Sequence, residues 1–318
     1  MNTAIYAIFI AFAISVIICP FFIPKLIKLK FGQYVRNDGP KEHLRKAGTP
    51  TMGGIMIIIS LLLTTILFMS NSPDILAIIL LTLGFALIGF WDDYTKIIKH
   101  RSMGLRAYQK MLAQIVIAIA FLLYYSQIST FSTAILVPFF PDLTLDLGIF
   151  YAPFILFVIV ATANGSNFTD GIDGLGAGIT AIVTAFLLFV AWYLNSPILP
   201  ITGAALGSLL GFLMFNSYPA KVFMGDTGSL ALGAFVAASA VILGIPLWLL
   251  IVGLVYVIEV LSVIIQVLYF KATKGKRFFK MAPIHHSFEV SGWHETKVVA
   301  FFYIITILLA LVGYLALE

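Results

Sequence analysis

Two carboxylates and two carboxamides are concentrated in an eleven-residue stretch between two long apolar segments that carry no charge. The stretch reads Asn164-Gly-Ser-Asn167-Phe-Thr-Asp170-Gly-Ile-Asp173-Gly174. Ionisable groups are costly next to apolar segments long enough to span a bilayer, so they indicate a functional site. The glycines allow the backbone to turn sharply and to approach a ligand closely. These residue types therefore predict hard oxygen ligands for a bound cation.

Three further segments carry polar side chains that could join the same chemistry. They are Asp92, Asp93 and Lys96 in residues 89–96, Asp226 in residues 221–229, and His285 and His286 in residues 281–289. Carboxylate and carbonyl oxygens suit Mg²⁺ or Mn²⁺ rather than zinc. Magnesium usually binds one or two protein carboxylates and leaves its other positions to water and substrate phosphates. The combination predicts a metal-assisted phosphoryl transfer, in which lysines supply further positive charge.

The elements that must position these residues are transmembrane helices. The chain has 318 residues, of which 61% are hydrophobic and 10% charged, a composition that excludes a soluble protein. Apolar runs of about 17–25 residues suffice to span a bilayer as helices. We predict one polytopic, all-α integral membrane domain over residues 1–318, with ten spans. They are 3–23, 52–70, 74–91, 111–127, 150–166, 175–194, 198–215, 228–243, 246–270 and 298–316.

Two features of the first span limit other interpretations. It has neither a basic start nor a small-residue cleavage site, so we interpret it as a helix rather than a secretory signal. It also contains the single cysteine of the chain, Cys19. One cysteine excludes a disulfide framework and a cysteine-based metal site.

The basic residues predict the orientation of these spans. All 19 Lys and Arg residues fall in four loops on one face, residues 24–51, 92–110, 216–227 and 271–297. The positive-inside rule places these loops in the cytoplasm and both termini outside. The five aspartates of the polar segments and all five histidines, including His43 and His100, then lie at the cytoplasmic face. The sequence thus predicts an active site on that face.

Each polar segment also has a simpler interpretation. Asp92 and Asp93 could be a solvated pair at a helix end, and His285 and His286 an interfacial structural pair. The sequence from Gly225 to Ser229 could be a turn with a helix cap. The two glycosylation sequons that begin at Asn164 and Asn167 are discounted, because the loop is predicted to be cytoplasmic. The convergence of all segments on one face favours a shared functional site.

Taken together, the motifs resemble the polyprenyl-phosphate N-acetylhexosamine-1-phosphate transferases. Four pieces match in order: residues 92–96, 164–174, 223–229 and the histidine loop. Residues 48–54 and 281–289 are similar to the phospho-N-acetylmuramoyl-pentapeptide transferase branch of that family. One departure is Ser287, which stands where the branch usually has a third consecutive histidine. The resemblance extends over essentially the whole chain.

The resemblance implies a reaction at the bacterial cell membrane, catalysed by a multi-pass protein. Undecaprenyl phosphate would attack the β-phosphate of UDP-N-acetylmuramoyl-pentapeptide, with Mg²⁺ as cofactor, giving lipid I and releasing UMP. The implied partners are these two substrates and the membrane lipid, with no nucleic acid, and a homodimer is compatible with the sequence. Direct attack and a two-step route through an aspartyl phosphate are both open. We favour direct attack, because the acceptor is already anionic.

The resemblance also implies a role for each candidate residue. Asp226 would be the principal metal ligand and Asp170 a second one, while Asp92 and Asp93 would lie near the lipid phosphate, one of them as a base. The nucleotide and diphosphate pocket would comprise Lys96, Asn167, Asp170, Asp173 and Phe223, with Phe223 stacked on the uracil. His285, His286 and Gln266 would close the site over the sugar phosphate. Asn164 and Gly225 complete the implied set.

Three rival functions remain at this point. A sister transferase that uses UDP-N-acetylglucosamine would share the chemistry, but residues 281–289 argue against it. An ion-coupled transporter would place its carboxylates near the membrane midplane rather than at the ends of spans. A structural scaffold gives no reason for five aspartates on one face. Glu259, seven residues before Gln266, is predicted to face the bundle or a groove, as a structural or a catalytic residue.

Overall fold

Nearly every apolar segment of this chain forms a helix, because a helix satisfies its own backbone hydrogen bonds where water is absent. The computed structural model describes residues 1–28, 46, 48–68, 72–99 and 103–318. Two of the histidines predicted at the cytoplasmic face, His43 and His100, lie outside these ranges.

The described ranges contain eleven α-helices and one two-stranded antiparallel sheet. In chain order the elements are α1 (Asn2–Lys28), α2 (Gly54–Phe68), α3 (Pro73–Ile98), α4 (Ala107–Tyr125), β1 (Ala134–Val137), β2 (Phe140–Asp146), α5 (Tyr151–Thr169), α6 (Leu175–Tyr193), α7 (Leu199–Asn216), α8 (Gly225–Ile242), α9 (Leu254–Ala272), α10 (Ile284–Val290) and α11 (Glu295–Leu315).

Nine helices of the described part are long and apolar enough to cross a membrane. The tenth predicted span, 52–70, corresponds to α2, which has 15 residues. A helix of this length is about 22 Å long, shorter than the ~30 Å apolar core of a bilayer. The prediction of about ten spans is therefore confirmed for nine helices, and α2 falls short by length.

Large apolar side chains are exposed on the outer faces of these helices. Phe9, Leu87, Leu123, Phe157 and Leu311 are each more than half exposed. Exposed apolar surface on this scale is unusual for a soluble monomer and indicates contact with lipid. The exposure pattern agrees with the predicted multi-pass membrane protein.

The structure is mostly helical, as the sequence predicted, and it adds one short hairpin at residues 134–146 that the sequence did not predict. β1 and β2 pair antiparallel, with Ala134 opposite Asp146 and Leu136 opposite Thr144. The alternation of apolar and polar residues in 142–146 is typical of a strand, and it was the available signal. Asp146 accepts hydrogen bonds from the Thr133 hydroxyl and the Gly148 N–H, which lower the pKa of its carboxyl group.

Several predicted loop residues lie instead within the end turns of helices. α3 continues past the predicted end at 91 through Asp92, Asp93 and Lys96, and α5 continues past the predicted end at 166 through Asn167. These helices continue because their polar side chains find partners on neighbouring helices, as the site geometry below shows. The predicted span 246–270 is also interrupted: a 3₁₀ turn at Pro246–Leu250 precedes α9.

Helix α8 lies at the centre of the bundle and packs against both α3 and α5. Every residue from Thr227 to Val241 is buried, and most of them are Ala, Gly or Ser. Small residues allow helix backbones to approach closely in a membrane. The closest approach is at Gly89 of α3, where a Cβ atom would collide with the backbone carbonyl of Asp226. This contact brings the end of α3 onto the beginning of α8.

Candidate active site

Three carboxylates meet where α3 ends and α8 begins. One oxygen each from Asp92, Asp93 and Asp226 lies within 4.8 Å of the other two. Asp92 and Asp93 are buried, and Asp226 is partly buried. We refer to these three residues as the carboxylate cluster. Three negative charges this close require compensation by cations or hydrogen-bond donors.

The first turn of α8 holds the Asp93 carboxylate. Oδ1 accepts a hydrogen bond from the Asp226 N–H (3.2 Å), and Oδ2 accepts from the N–H (2.9 Å) and hydroxyl (2.8 Å) of Thr227. Unpaired N–H groups and the helix dipole favour an anion at a helix N-terminus. Gly225 has a φ of +74°, and a Cβ atom there would lie 2.6 Å from Asp93 Oδ2. Gly225 therefore permits this close approach.

Two lysines neutralise the carboxylate cluster. The Lys96 Nζ atom lies 2.7 Å from Asp92 Oδ2, 3.1 Å from Asp226 Oδ2 and 3.5 Å from Asp93 Oδ1. The Lys110 Nζ atom, from the first turn of α4, lies 2.7 Å from Asp226 Oδ2. Lys96 was among the predicted site residues, whereas sequence reasoning used Lys110 only for topology. Its position in a basic loop at the same predicted face was the available signal.

Asn167 joins the carboxylate cluster, and Asn164 does not contact it directly. The Asn167 amide donates to Asp226 Oδ1 at 2.9 Å and to the Ser229 hydroxyl at 2.8 Å. Asn164, one turn earlier in α5, exchanges hydrogen bonds with Gln114 of α4 instead. Ser229 and Gln114 were not predicted as site residues. Asn164 thus links α5 to α4 beside the site.

Asp173 belongs to a separate group of charges. Its Oδ1 atom lies 2.7 Å from the Lys46 Nζ atom, which also lies 2.5 Å from Glu295 Oε1. We call Lys46, Asp173 and Glu295 the Lys46 cluster. Burial alone would lower the pKa of Lys46, but the hydrogen bonds and charges of Asp173 and Glu295 raise it overall. Neither Lys46 nor Glu295 was predicted as a site residue.

Asp170 lies just beyond the end of α5 and is not one of the three residues of the carboxylate cluster. Burial raises the pKa of its carboxyl group well above the usual value, and the negative charges of Asp226, Asp93 and Asp173 add to the shift. Its predicted role as a metal ligand stays a prediction.

The histidine loop packs against the segment that contains Asp170. The Nδ1 atom of His285 lies 3.1 Å from Glu259 Oε2, and both side chains are fully buried. Glu259 therefore faces the bundle, as the sequence predicted. The other side of the His285 ring lies against Gly171, where a Cβ atom would overlap it. His286 Nδ1 lies 2.7 Å from Glu289 Oε2.

Three other residues singled out in the sequence support loops. Gln266 accepts hydrogen bonds from the N–H groups of Phe278 (3.2 Å) and Phe279 (2.8 Å). The backbone of Phe223 bonds to Pro50 and Gly53, which ties it to the 48–54 motif. Ser287, in the position of the expected third histidine, donates its hydroxyl to the Met281 carbonyl and accepts from the Met281 N–H.

A cleft of about 240 Å³ lies beside the Lys46 cluster, separate from the carboxylate cluster. It is lined by Asp173, Gly174, Ser217, Tyr218, Thr296, Val299, Ala300 and Tyr303. Of the predicted site residues, only Asp173 contributes to it. This cleft is therefore not the predicted cation site.

Comparisons with known proteins identify the family of this chain. Residues 75–244 match the family model described as Glycosyl transferase family 4, and residues 46–58 match signature 1 of phospho-N-acetylmuramoyl-pentapeptide-transferase. The chain belongs to glycosyl transferase family 4. The family model spans all three aspartates of the carboxylate cluster, and the signature includes Lys46.

Three relatives that match this chain over nearly its full length share one name. Proteins called phospho-N-acetylmuramoyl-pentapeptide-transferase from Clostridium kluyveri and Acetivibrio thermocellus are 50% and 49% identical to this chain. The alignments cover 100% of both chains in the first case, and 99% of this chain and 95% of the relative in the second. A relative of the same name from Clostridioides difficile is 49% identical over 98% of this chain and 97% of its own length. The predicted family resemblance is confirmed.

The carboxylate cluster fits a divalent cation in this family member. Its donors are hard carboxylate oxygens from the ends of two packed helices, the type of ligand that Mg²⁺ or Mn²⁺ prefers. The Lys96 ammonium lies within 3.5 Å of all three carboxylates, and a bound cation would compete with it for the same oxygens. The cluster therefore has the charge and the donor atoms for one ion plus an anionic substrate.

Proposed function

We propose that this chain transfers phospho-N-acetylmuramoyl-pentapeptide from its UDP carrier to undecaprenyl phosphate, giving lipid I and UMP. The observation that carries the proposal is the lysine-compensated carboxylate cluster at one end of a bundle of membrane-length helices. Half of the residues over the full length are shared with a relative named for this transfer. Carboxylates at helix ends would lie at the depth of a lipid phosphate, whereas a transporter binds its coupling ion near the midplane.

The proposed site is cytoplasmic, and both termini are extracytoplasmic. The supporting observation is the segregation of all 19 Lys and Arg residues to one face of the predicted topology. The protein would be a single multi-pass domain of a bacterial cell membrane. UDP-N-acetylmuramoyl-pentapeptide would then enter from the cytoplasm, and undecaprenyl phosphate would enter from the bilayer.

The proposed cofactor is Mg²⁺, held by Asp226 with Asp92 or Asp93. When bound, it would neutralise negative charge on the transferred diphosphate. Lys96 and Lys110, which pair with Asp92 and Asp226 in this structure, would bind phosphate oxygens when substrate and metal are present. Phosphoryl transfer depends mainly on such positioning and charge compensation, so the chain needs no elaborate acid–base machinery.

Direct attack by the lipid phosphate is favoured over an aspartyl-phosphate intermediate. Both oxygens of Asp93 accept hydrogen bonds from the first turn of α8, so a nucleophilic role would break these bonds. Asp92 is also engaged, because Oδ1 accepts from the Leu105 N–H at 2.8 Å and Oδ2 pairs with Lys96. A phosphate acceptor is already anionic near neutral pH and needs little activation.

Release of UMP by the purified protein tests the proposal. The assay supplies undecaprenyl phosphate, UDP-N-acetylmuramoyl-pentapeptide and Mg²⁺, and compares the wild type with Asp226→Asn. We expect the variant to lose at least about 100-fold in kcat, because the proposed Mg²⁺ would lose its principal carboxylate ligand and with it the charge that neutralises the reacting phosphates. The matched control is Asp142→Asn, which removes an aspartate of β2, outside the carboxylate cluster.

Two outcomes would contradict the proposal in different ways. No UMP release by the wild type rejects the reaction, and full activity of Asp226→Asn rejects the metal assignment. A competition with UDP-N-acetylglucosamine tests the donor. Consumption of that nucleotide in preference to the muramoyl-pentapeptide nucleotide would support the sister transferase instead.

A further inference from the structure

Glu295, the first residue of α11, is a buried acid that the proposed reaction does not use. Its Oε1 atom accepts a hydrogen bond from the Asp173 N–H at 2.6 Å and lies 2.5 Å from the Lys46 Nζ atom. Lys46 and Asp173 are 127 residues apart, and Glu295 is a further 122 residues along the chain from Asp173. One carboxylate thus joins three distant segments.

We propose that Glu295 is a positioning residue for the nucleotide, and that it acts by holding the Lys46 ammonium and the Asp173 backbone in one fixed arrangement. The inference rests on the proposed function and on the nucleotide pocket that the family resemblance implies, which includes Asp173. Glu295 itself would not contact the substrate, because it is buried and its Oε1 atom is bonded to both partners.

The hydrogen bonds around Asp173 connect Glu295 to the segment that carries Phe223. The Oδ2 atom of Asp173 accepts from the Ala220 N–H at 2.9 Å. Three residues later, the Phe223 N–H donates to the Pro50 carbonyl at 2.8 Å, near Lys46 in the sequence. Hydrogen bonds and backbone therefore connect Glu295, Asp173 and residues 220–223. Asp173 and Phe223 both belong to the nucleotide pocket that the family resemblance implies. A change at Glu295 should therefore affect how this pocket binds a nucleotide.

The charges of the Lys46 cluster explain why this residue is an acid. Two carboxylates contact one ammonium, so Lys46 stays protonated and is oriented by two partners instead of one. A lysine ammonium has three donors, and the two carboxylates occupy two of them. Replacing Glu295 with Gln keeps an oxygen for the Asp173 N–H but removes the charge that orients Lys46.

A second contact of α11 provides a matched control. The Tyr303 hydroxyl donates to the Gly174 carbonyl at 2.6 Å, one residue after Asp173. Tyr303→Phe removes this neutral bond and loosens the same helix from the same loop, without changing the Lys46 cluster. If Glu295 is only a structural anchor, both substitutions should affect the nucleotide equally.

The experiment measures UMP binding by calorimetry and, in the same preparations, the KM values for nucleotide and lipid. For Glu295→Gln we expect UMP affinity to fall about tenfold and the nucleotide KM to rise similarly, the effect of one charge-assisted hydrogen bond. The lipid KM and kcat should stay within about threefold, and Tyr303→Phe should leave UMP affinity within about twofold. Glu295→Asp keeps the charge and should recover most of the affinity. A Lys46→Met/Glu295→Gln double variant should bind UMP no more weakly than Lys46→Met.

Several results would overturn the inference. They are UMP affinity within twofold of the wild type in Glu295→Gln, an equal rise of both KM values, and an equal loss of affinity in Tyr303→Phe. A wild type that releases no UMP from the muramoyl-pentapeptide nucleotide rejects the proposed function instead, and the UMP-binding comparison still decides the role of Glu295. If Glu295→Gln does not fold, the comparison rests on Glu295→Asp, and UMP affinity in that variant as weak as in Lys46→Met counts against the inference.

Discussion

Replacing Lys110 with Met removes one of the two ammonium groups that neutralise Asp226. The Lys110 Nζ atom lies 2.7 Å from Asp226 Oδ2, and Lys96 lies 3.1 Å from the same oxygen. At an effective dielectric constant of about 20, unit charges 2.7 Å apart attract by about 6 kcal/mol before desolvation is subtracted. Removing one partner of a buried pair typically costs about 3–5 kcal/mol. The partial exposure of both side chains places the cost at the lower end of this range.

Lys96, the lysine that remains beside Asp226, determines the effect of the Lys110→Met substitution. Lys96 still compensates Asp226, so we expect the Lys110→Met variant to fold and to insert into membranes. The reacting phosphates would lose one of two fixed positive charges, and removing one such group typically lowers kcat by about 10²–10³. We expect a fall of about 100-fold in kcat, which corresponds to about 2.7 kcal/mol of transition-state stabilisation.

The assay is UMP release by purified protein at saturating concentrations of both substrates, with a melting curve for each variant. Lys99→Met is the control, because Lys99 follows the same end of α3 and its side chain is exposed. Lys110→Arg should keep most of the activity if charge is what matters. A Lys110→Met enzyme with kcat within threefold of the wild type and an unchanged melting temperature would refute the reasoning.

Three more predictions concern the packing and the charges around the site. Asp93→Asn should destabilise the protein by about 2–3 kcal/mol, because an amide nitrogen would face N–H donors of α8. Chemical unfolding in detergent would measure this loss of stability. Gly89→Ala should lower activity and melting temperature together, since its Cβ atom would push α3 from the Asp226 carbonyl; normal activity with normal melting would contradict it. The pKa of Lys46 is raised above 10.5 in the folded state. The stabilising effect of Lys46 is the difference in melting temperature between the wild type and Lys46→Met. This difference should persist from neutral pH to about 10.5 and decline above that pH. A decline already between pH 7 and 9 would contradict the prediction.

The sequence predicted the helices well because their signal is local. Nine of the ten predicted spans are helices of membrane length, since twenty consecutive apolar residues have few other solutions in a bilayer. The hairpin at 134–146 was missed because it is short and weakly patterned. The ends of α5 and α8 lie within a few residues of the prediction, whereas α3 extends well beyond its predicted end at 91. Polar residues usually mark loops, but those of α3 find partners on a neighbouring helix.

The candidate site was predicted in its types of residue and only partly in its arrangement. Asp92, Asp93 and Asp226 were singled out, and they do meet. The sequence could not show that Asp93 caps α8 or that Lys110 pairs with Asp226, because these contacts join segments more than 100 residues apart. It also could not separate Asp173 from the carboxylate cluster.

By itself, the sequence determined the class of protein, the family and the chemical character of the site. Composition and apolar run length are properties of the chain, and motif order reports the family without coordinates. Only the tertiary structure decided which charges pair. Close helix packing at Gly89 brings three carboxylates together, and the start of α11 carries Glu295 to Lys46 and Asp173. Pairing depends on distances between segments remote in sequence, and those distances exist only after the helices have packed.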